Sequence, residues 1–500
     1  MQSARNIQPP RQWLRALLPV LMIVPLLSGC TVGPDYEKPL FAMPASWGSA
    51  KDASRSRPPE LASWWKRLND PLLNELIEVA VARNLDVATS KAKIREARAS
   101  YRQTTGALFP TASSSASATQ GKSGSSSGGS ADTYSQFQAG FDAKWEIDLF
   151  GANRRAVEAA RYGLDAAEED LRATLLTLVG DVAANYVELR GYQARITLGR
   201  RTAASQNETA ALTRTKFEAG AASAVDVANA SGQAASTEAR VPELEAAMAK
   251  TAHRLSVLTG QPPATLMERL KKQAPIPRPK LPMPAGVPAD ILLARPDVRL
   301  AERQYAQATA RIGQSEAARY PSISLSGDIS TSGARLGDLG KSSSISWSFG
   351  PTLTVPVFNA GKLAATVDIA RAQRDQTFIA YHASVLTALE DVENAIVSLA
   401  QERLRYNKLA ASAKHYREAA SLSGRLFEVG SASFLDLLTA QRSLYSAEDS
   451  LIASQVAIAT DYIALNKALG GGWDGFVDAL RPEIIDVNTR TGLARVSKSN

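Results

Sequence analysis

A single cysteine, Cys30, stands in 500 residues, so no disulfide can form within the chain. Histidine is nearly as scarce. His253, His382 and His415 lie far apart, each in a helical stretch without metal-ligand spacing, which excludes a histidine-built metal centre. Aromatic residues make up 6% of the chain. Alanine and serine take their place, and small residues suit helices packed closely along their whole length. Proline is missing between Pro110 and Pro242, and again between Pro356 and Pro482. Each interval leaves room for a very long helix. The formal charge is +8, and falls to +5 once Arg5, Arg11 and Arg15 leave with a removable leader. The remaining basic residues are scattered and paired with acids along helices, which excludes a nucleic-acid-binding face.

What the chain does have is an unusual strand. From Ser135 to Phe150, Phe137, Ala139, Phe141, Ala143, Trp145, Ile147 and Leu149 alternate with Gln136, Gln138, Gly140, Asp142, Lys144, Glu146 and Asp148. A period of 2 sustained this long gives one apolar and one polar face. Ordinary strands have about 5–6 residues, whereas a tilted membrane-crossing strand needs about 9–11. The alternation returns where Ile345, Trp347, Phe349, Pro351, Leu353, Val355 and Val357 interleave with serine, glycine, threonine and proline. The large aromatics Phe137, Phe141, Trp145, Trp347 and Phe349 read as lipid-facing.

The whole chain follows this duplication. Asp70-Pro71 starts a helix, with Asp70 as its N-cap and Pro71 at the first helical position. Asn84-Leu85-Asp86 interrupts it, and Phe109-Pro110 ends its successor. A weak Ala/Ser strand and a Gly/Ser-rich loop at 121–130 lead into the first alternating strand. Long helical periodicity then runs to Phe217, ending at Gly220. A further helix begins near Ser223 and Asp226 and reaches Gly260. In the second copy, Ala294-Arg295-Pro296 answers Ala82-Arg83-Asn84, Tyr320-Pro321 answers Phe109-Pro110, and Phe427-Glu428-Val429-Gly430 answers Phe217-Glu218-Ala219-Gly220. The unit is helix–strand–strand–long helix–helix, used twice. The expected division is a leader at 1–29, an N-terminal segment at 30–70, a first repeat at 71–260, a proline-rich linker at 261–296, a second repeat at 297–470 and a tail at 471–500. In the first repeat, helices are expected at about 71–109, 151–217 and 223–259, with strands within about 111–149. In the second, they are expected at about 297–319, 360–428 and 433–469, with strands within about 322–357.

Two physical problems follow. A helix of this length, about 100 Å at 1.5 Å per residue, cannot bury its flanks within one chain. Four strands cannot close a membrane barrel, the smallest of which have about eight, and a sheet in lipid must have no open edge. The chain must therefore associate with copies of itself. Two copies supply eight strands and a filled interior; three supply twelve and room for a pore.

At the start, Arg11 and Arg15 precede the apolar run Ala16 to Leu27, which ends in Leu27-Ser28-Gly29-Cys30. Positive charge before a short apolar core reads as a secretory leader. Small residues before a lone cysteine resemble a bacterial lipobox, which implies cleavage before Cys30 and lipidation of its thiol and new amino group. Cys30-Thr31-Val32-Gly33-Pro34-Asp35-Tyr36-Glu37-Lys38-Pro39 is similar to the mature N-terminus of the lipoprotein branch of the outer membrane factors, the TolC- and OprM-like exit ducts. Phe427 to Gly430 and Ser433 to Arg442 resemble that branch's second-repeat tip, and the resemblance covers essentially the whole mature chain.

This resemblance implies an α+β membrane protein: a homotrimer whose 12-stranded outer-membrane β-barrel is joined to a long periplasmic α-helical barrel. A collar from residues 31–70, 261–296 and 470–500 is implied as well. The implied function is a passive efflux duct serving an inner-membrane pump, of the resistance-nodulation-division type, through a periplasmic adaptor. A type I protein-secretion duct and a poreless coiled-coil lipoprotein stay open as alternatives. Thr31 after the cysteine permits export to the outer membrane by the same analogy. The turns at Gly220 and Gly430, each preceded by Phe217 or Phe427, are expected to meet the adaptor. Leu435, Thr439 and Arg442 share one helical stripe, with Asp436 beside it. If three tips converge, Leu435 closes the duct by apolar contact and Asp436 pairs with Arg442 of a neighbouring helix. The family pattern often has a second Asp where this chain has Thr439, which weakens any cation-binding ring. No enzyme and no cofactor are implied. Asp226 and Asp436 are read as favouring a helix N-terminus, and Gly121-Lys122-Ser123 matches only the tail of a phosphate-binding loop.

Overall fold

The computed structural model describes residues 31–44, 61–122, 133–279, 289–473, 475 and 477–480. The leader, Cys30 and the Gly/Ser loop after Lys122 lie outside these residues. In chain order the elements are α1 (Pro71–Arg83), α2 (Leu85–Gly106), β1 (Thr111–Lys122), β2 (Thr133–Ile147), α3 (Ala152–Glu218), α4 (Ala224–Leu258), a one-turn α5 (Met267–Leu270), α6 (Pro296–Ala317), β3 (Ser322–Gly333), β4 (Ile345–Thr354), α7 (Lys362–Glu428) and α8 (Phe434–Ala468). The repeats match in length. α2 and α6 each have 22 residues, β1 and β3 have 12, α3 and α7 have 67, and α4 and α8 have 35.

The chain forms two compact units, one comprising residues 1–39, 96–166 and 301–381, the other residues 40–95, 167–300 and 382–500. The first holds a single antiparallel sheet in the order β1-β2-β3-β4. β2 stops at Ile147, short of the expected Phe150, because Asp148 turns its carboxylate to the start of α3 and accepts the Arg154 N–H at 2.9 Å. Gly151, at φ +84°, completes the turn. β4 likewise ends at Thr354, before Val355 and Val357, since Pro356 has no N–H to give a ladder.

The second unit carries the main apolar core. Leu73, Leu76, Ile77 and Ala80 of α1 recur at helical spacing and are fully buried. They start from a well-made cap: Asp70 accepts from the N–H groups of Leu72 and Leu73, and also from the Tyr186 hydroxyl at 2.7 Å. Trp64 and Trp65 are buried nearby. The Trp64 indole donates to Gly471 O at 3.0 Å, and Trp65 stacks on Trp473.

Both repeats join helix ends through a single polar side chain. Asn84 accepts from the N–H groups of Asp86 and Val87, at the start of α2, and donates to Leu258 O, the last residue of α4. In the second repeat Arg295 donates to Ala468 O of α8 and holds Asp297, in the first turn of α6. Gly260 and Gly470, with φ of +69° and +80°, turn the chain at the same places. A short helix is thus set onto the end of a longer one in each copy. Asn84→Ala removes a cap and leaves a buried carbonyl without its donor. We expect a loss of about 2–3 kcal/mol, read as a lower denaturant midpoint, with Asn84→Ser losing roughly half as much. An unchanged midpoint in Asn84→Ala removes the joint from the stability of this unit.

Candidate functional site: the two-faced sheet and the helical tips

Register decides what the sheet is for. Phe141 pairs with Ile329, which pairs with Trp347. Trp145 pairs with Leu325 and Leu325 with Pro351, while Ala143, Gly327 and Phe349 form the row between. Directly paired residues share a face, so these rows make one apolar surface across three strands. Phe141, Trp347 and Phe349 are 67%, 74% and 70% exposed among the described residues. The opposite face carries Gln138 beside Ser332, Asp142 beside Asp328, and Lys144 beside Ser326. Phe137 lies on the apolar face, opposite Gly333 and Ala118. Each of the outer strands, β1 and β4, has one paired side only.

Where α3 and α7 end, at Glu218 and Glu428, the chain makes two matching tips. Gly220 and Gly430 take left-handed φ angles of +75° and +79°. The Ala221 N–H bonds Lys216 O and the Gly220 N–H bonds Phe217 O; Ser431 and Gly430 repeat the pattern on Leu426 and Phe427. These are paired helix-ending bonds that a left-handed glycine permits. The next helices begin with capping boxes. Ser223 accepts from the Asp226 N–H while Asp226 accepts from the Ser223 N–H, and Ser433 and Asp436 do the same. The pattern Ser-x-x-Asp just after each tip glycine is the local signal for these reciprocal caps.

The tips are not equivalent. Phe427 is buried in a cluster with Phe434, Leu437 and Ala230, whereas Phe217 is 45% exposed. Lys216 supports the second tip, donating to Phe427 O at 2.7 Å and lying over the Phe427 ring. A lysine there also suits the negative end of α7. Phe427 thus faces its own core, and Phe217 is the aromatic left at the surface. Leu435 is 65% exposed, and Asp436, Thr439 and Arg442 are exposed beside it.

The model of the outer membrane efflux protein family matches residues 76–261 and again residues 287–471. The chain belongs to this family. Nodulation protein T of Rhizobium leguminosarum bv. trifolii is 36% identical over 452 residues, spanning 90% of this chain and 96% of the relative. The solvent efflux pump outer membrane protein SrpC of Pseudomonas putida is 33% identical, spanning 91% and 98%. Among solved structures, the outer-membrane channel OprN superposes with a TM-score of 0.83 at 34% identity, covering 89% of this chain and 100% of that one.

As an outer membrane efflux protein, the chain belongs to a family of channels, not of enzymes, and the two-faced sheet is its membrane part. Two further arrangements were invisible in the sequence. In the second unit, Glu448 of α8 takes ion pairs from Arg201 of α3 and from Arg417 of α7, and Asp449 accepts from Nε and Nη2 of Arg195 at 2.7 and 3.0 Å. Glu448 itself is 8% exposed. One turn of α8 therefore fastens both 67-residue helices.

In the first unit, residues 31–38 form a strap. Arg155, 4% exposed, donates to Val32 O, Gly33 O and Asp35 and also holds Glu158. The Tyr36 ring packs edge-on against Tyr162 and Tyr305, and its hydroxyl donates to Glu302 at 2.7 Å. Burial, and then the Glu302 carboxylate, hold this phenol protonated far above its usual range. Gly33 lies against the Gly313 backbone, closer than any Cβ allows.

Among the described residues no cluster of histidine, cysteine or acid side chains is placed to hold a metal, and no helix is long and apolar enough to cross a membrane. His382 stacks on Phe41 at 5.2 Å between ring centroids.

Proposed function

We propose that three copies of this chain close their sheets into one 12-stranded barrel, standing on a barrel of the long helices, as the passive exit duct of a tripartite efflux system. The observation that carries this reading is the sheet. It has one apolar face, one polar face and two free edges, a state that cannot exist in lipid until other copies pair with both edges. α7 supports it. Leu386, Val397, Leu404, Leu422 and Leu426 are 44–61% exposed and fall within about 40° of one another around the helix. An apolar stripe of that length calls for a neighbouring helix. Native mass spectrometry of the detergent-solubilised protein should read a trimer, and planar bilayers should read its conductance. A monomer, or a trimer that never conducts, overturns the reading.

Within this reading the exposed tips at Phe217 and Gly220, and at Gly430, receive a periplasmic adaptor, with Phe427 shaping the second tip from inside. The inner-membrane pump is of the resistance-nodulation-division type. Leu435, Asp436, Thr439 and Arg442 form the periplasmic gate. Cys30 carries the lipid anchor in the outer membrane. Thr31 packs against Gly151, just past the end of β2, which supports an anchor on the preceding residue. Several acyl chains, each adding about 0.8 kcal/mol per buried CH₂, make such attachment stable. Intact-protein mass spectrometry should find a mature chain beginning at an acylated Cys30. An unmodified N-terminus upstream of it excludes the anchor.

A further inference from the structure

A groove of about 610 Å³ opens in the second unit between α4, α7 and α8. Its size is that of a small-molecule site. Two guanidinium groups, Arg240 of α4 and Arg442 of α8, line it, and neither has an acidic partner among the described residues. Arg240 lies over the Tyr445 ring at 5.6 Å, a contact that orients the cation without neutralising it. The one acid in the lining, Asp449, has both oxygens committed to Arg195. The groove therefore carries two uncompensated positive charges. Tyr416 and Tyr445 add aromatic rings, and serines such as Ser412 and Ser446 add hydroxyl donors.

This is not how a packing defect between helices is lined. Helix flanks facing solvent balance basic with acidic residues at i, i+4, and flanks facing one another are apolar. Charge-assisted hydrogen bonds from a planar guanidinium suit carboxylates and sulfonates, and the exposed Tyr416 ring suits a flat apolar body joined to them. The place also fits. Counting from Leu435 through Thr439, Arg442 and Ser446 to Asp449, the steps of 4, 3, 4 and 3 stay on one face of α8. The groove thus continues the stripe that carries the gate residues.

We propose that this groove is a transit site for small aromatic organic anions, held by Arg240 and by Arg442, the innermost of the gate residues, whose guanidinium is open to the groove when it is not paired with Asp436 of a neighbouring copy. Its location on the path rests on the channel reading; the site itself does not. An open groove with two cationic donors binds weakly enough to release, which conduction requires. It also gives the duct a preference for anionic solutes, in keeping with Thr439 standing where a second carboxylate would favour cations.

The test uses the full mature chain in detergent and the aromatic polyanion 1,3,6,8-pyrenetetrasulfonate, read by fluorescence anisotropy. Wild-type protein should bind it saturably and more weakly as salt rises. Arg240→Gln with Arg442→Gln should weaken binding about tenfold or more. Ser446→Asp, which places a carboxylate at an exposed position in the lining, should weaken it comparably with the fold untouched. Unaltered binding in these variants, or none in the wild type, overturns the site. A crosslink between cysteines at Ser412 of one copy and any helix of a second copy would show the groove covered, and would overturn it equally. A protein that binds the dye but never conducts loses the channel reading and keeps the site; one that conducts and does not bind loses the site alone.

Discussion

Lysine in place of Phe141 or Phe349 should abolish barrel assembly, and lysine in place of Gln138 should leave it intact. Phe141 sits in the row with Ile329 and Trp347, and Phe349 in the row with Gly327 and Ala143. Phe141 lies near the middle of β2 and Phe349 near the middle of β4, each well away from the ends of its own strand. A lysine on the lipid face near mid-depth costs about 2–4 kcal/mol, and a trimer carries the change three times, for roughly 6–12 kcal/mol. That rivals the whole stability of an ordinary domain. Gln138 faces the other way, opposite Ser332 and Ser117, where a charge meets water. The readout is the trimer band on unheated gels of outer membranes. Equal yields from both faces would refute the assignment of lipid and water sides.

Leu435→Ala should raise single-channel conductance several-fold and admit vancomycin into cells that otherwise exclude it. Leu435 is 65% exposed at the start of α8, so removing its side chain deletes little of this chain's own packing. On the proposed gate, what it deletes is the apolar contact between converging tips. Leu437, 4% exposed in the cluster with Phe427 and Phe434, is the control. Leu437→Ala should lower stability by about 2–5 kcal/mol through a buried cavity. Asp436→Ala with Arg442→Ala should also widen the pore, at an added loss of about 1 kcal/mol from the Ser433–Asp436 capping box. Wild-type conductance in Leu435→Ala removes the gate from this stripe.

Much of this molecule was legible as pattern. Period 2 marked β2, Asp70-Pro71 marked the start of α1, and Gly220 and Gly430 marked the tips, because each depends on neighbours a few residues away. The two tip phenylalanines read as equals, since their local sequences match. They differ in the structure because Phe434 meets Phe427, while Ala224 stands at the answering place in the first repeat. Arg155 reaching Asp35, Arg201 reaching Glu448, and Arg240 and Arg442 facing one groove leave no local trace. Their partners come from other elements, and only the packing of helices brings them together.

The strap carries a consequence for the order of events during biogenesis. Tyr36 bonds Glu302, 266 residues later in the chain. At about 5–20 residues per second, its partner is synthesised some 13–50 s after it. Tyr36 thus waits for α6 to arrive. Arg155 meets the strap earlier, but Glu302 and Gly313 cannot. The N-terminus is therefore among the last parts to settle.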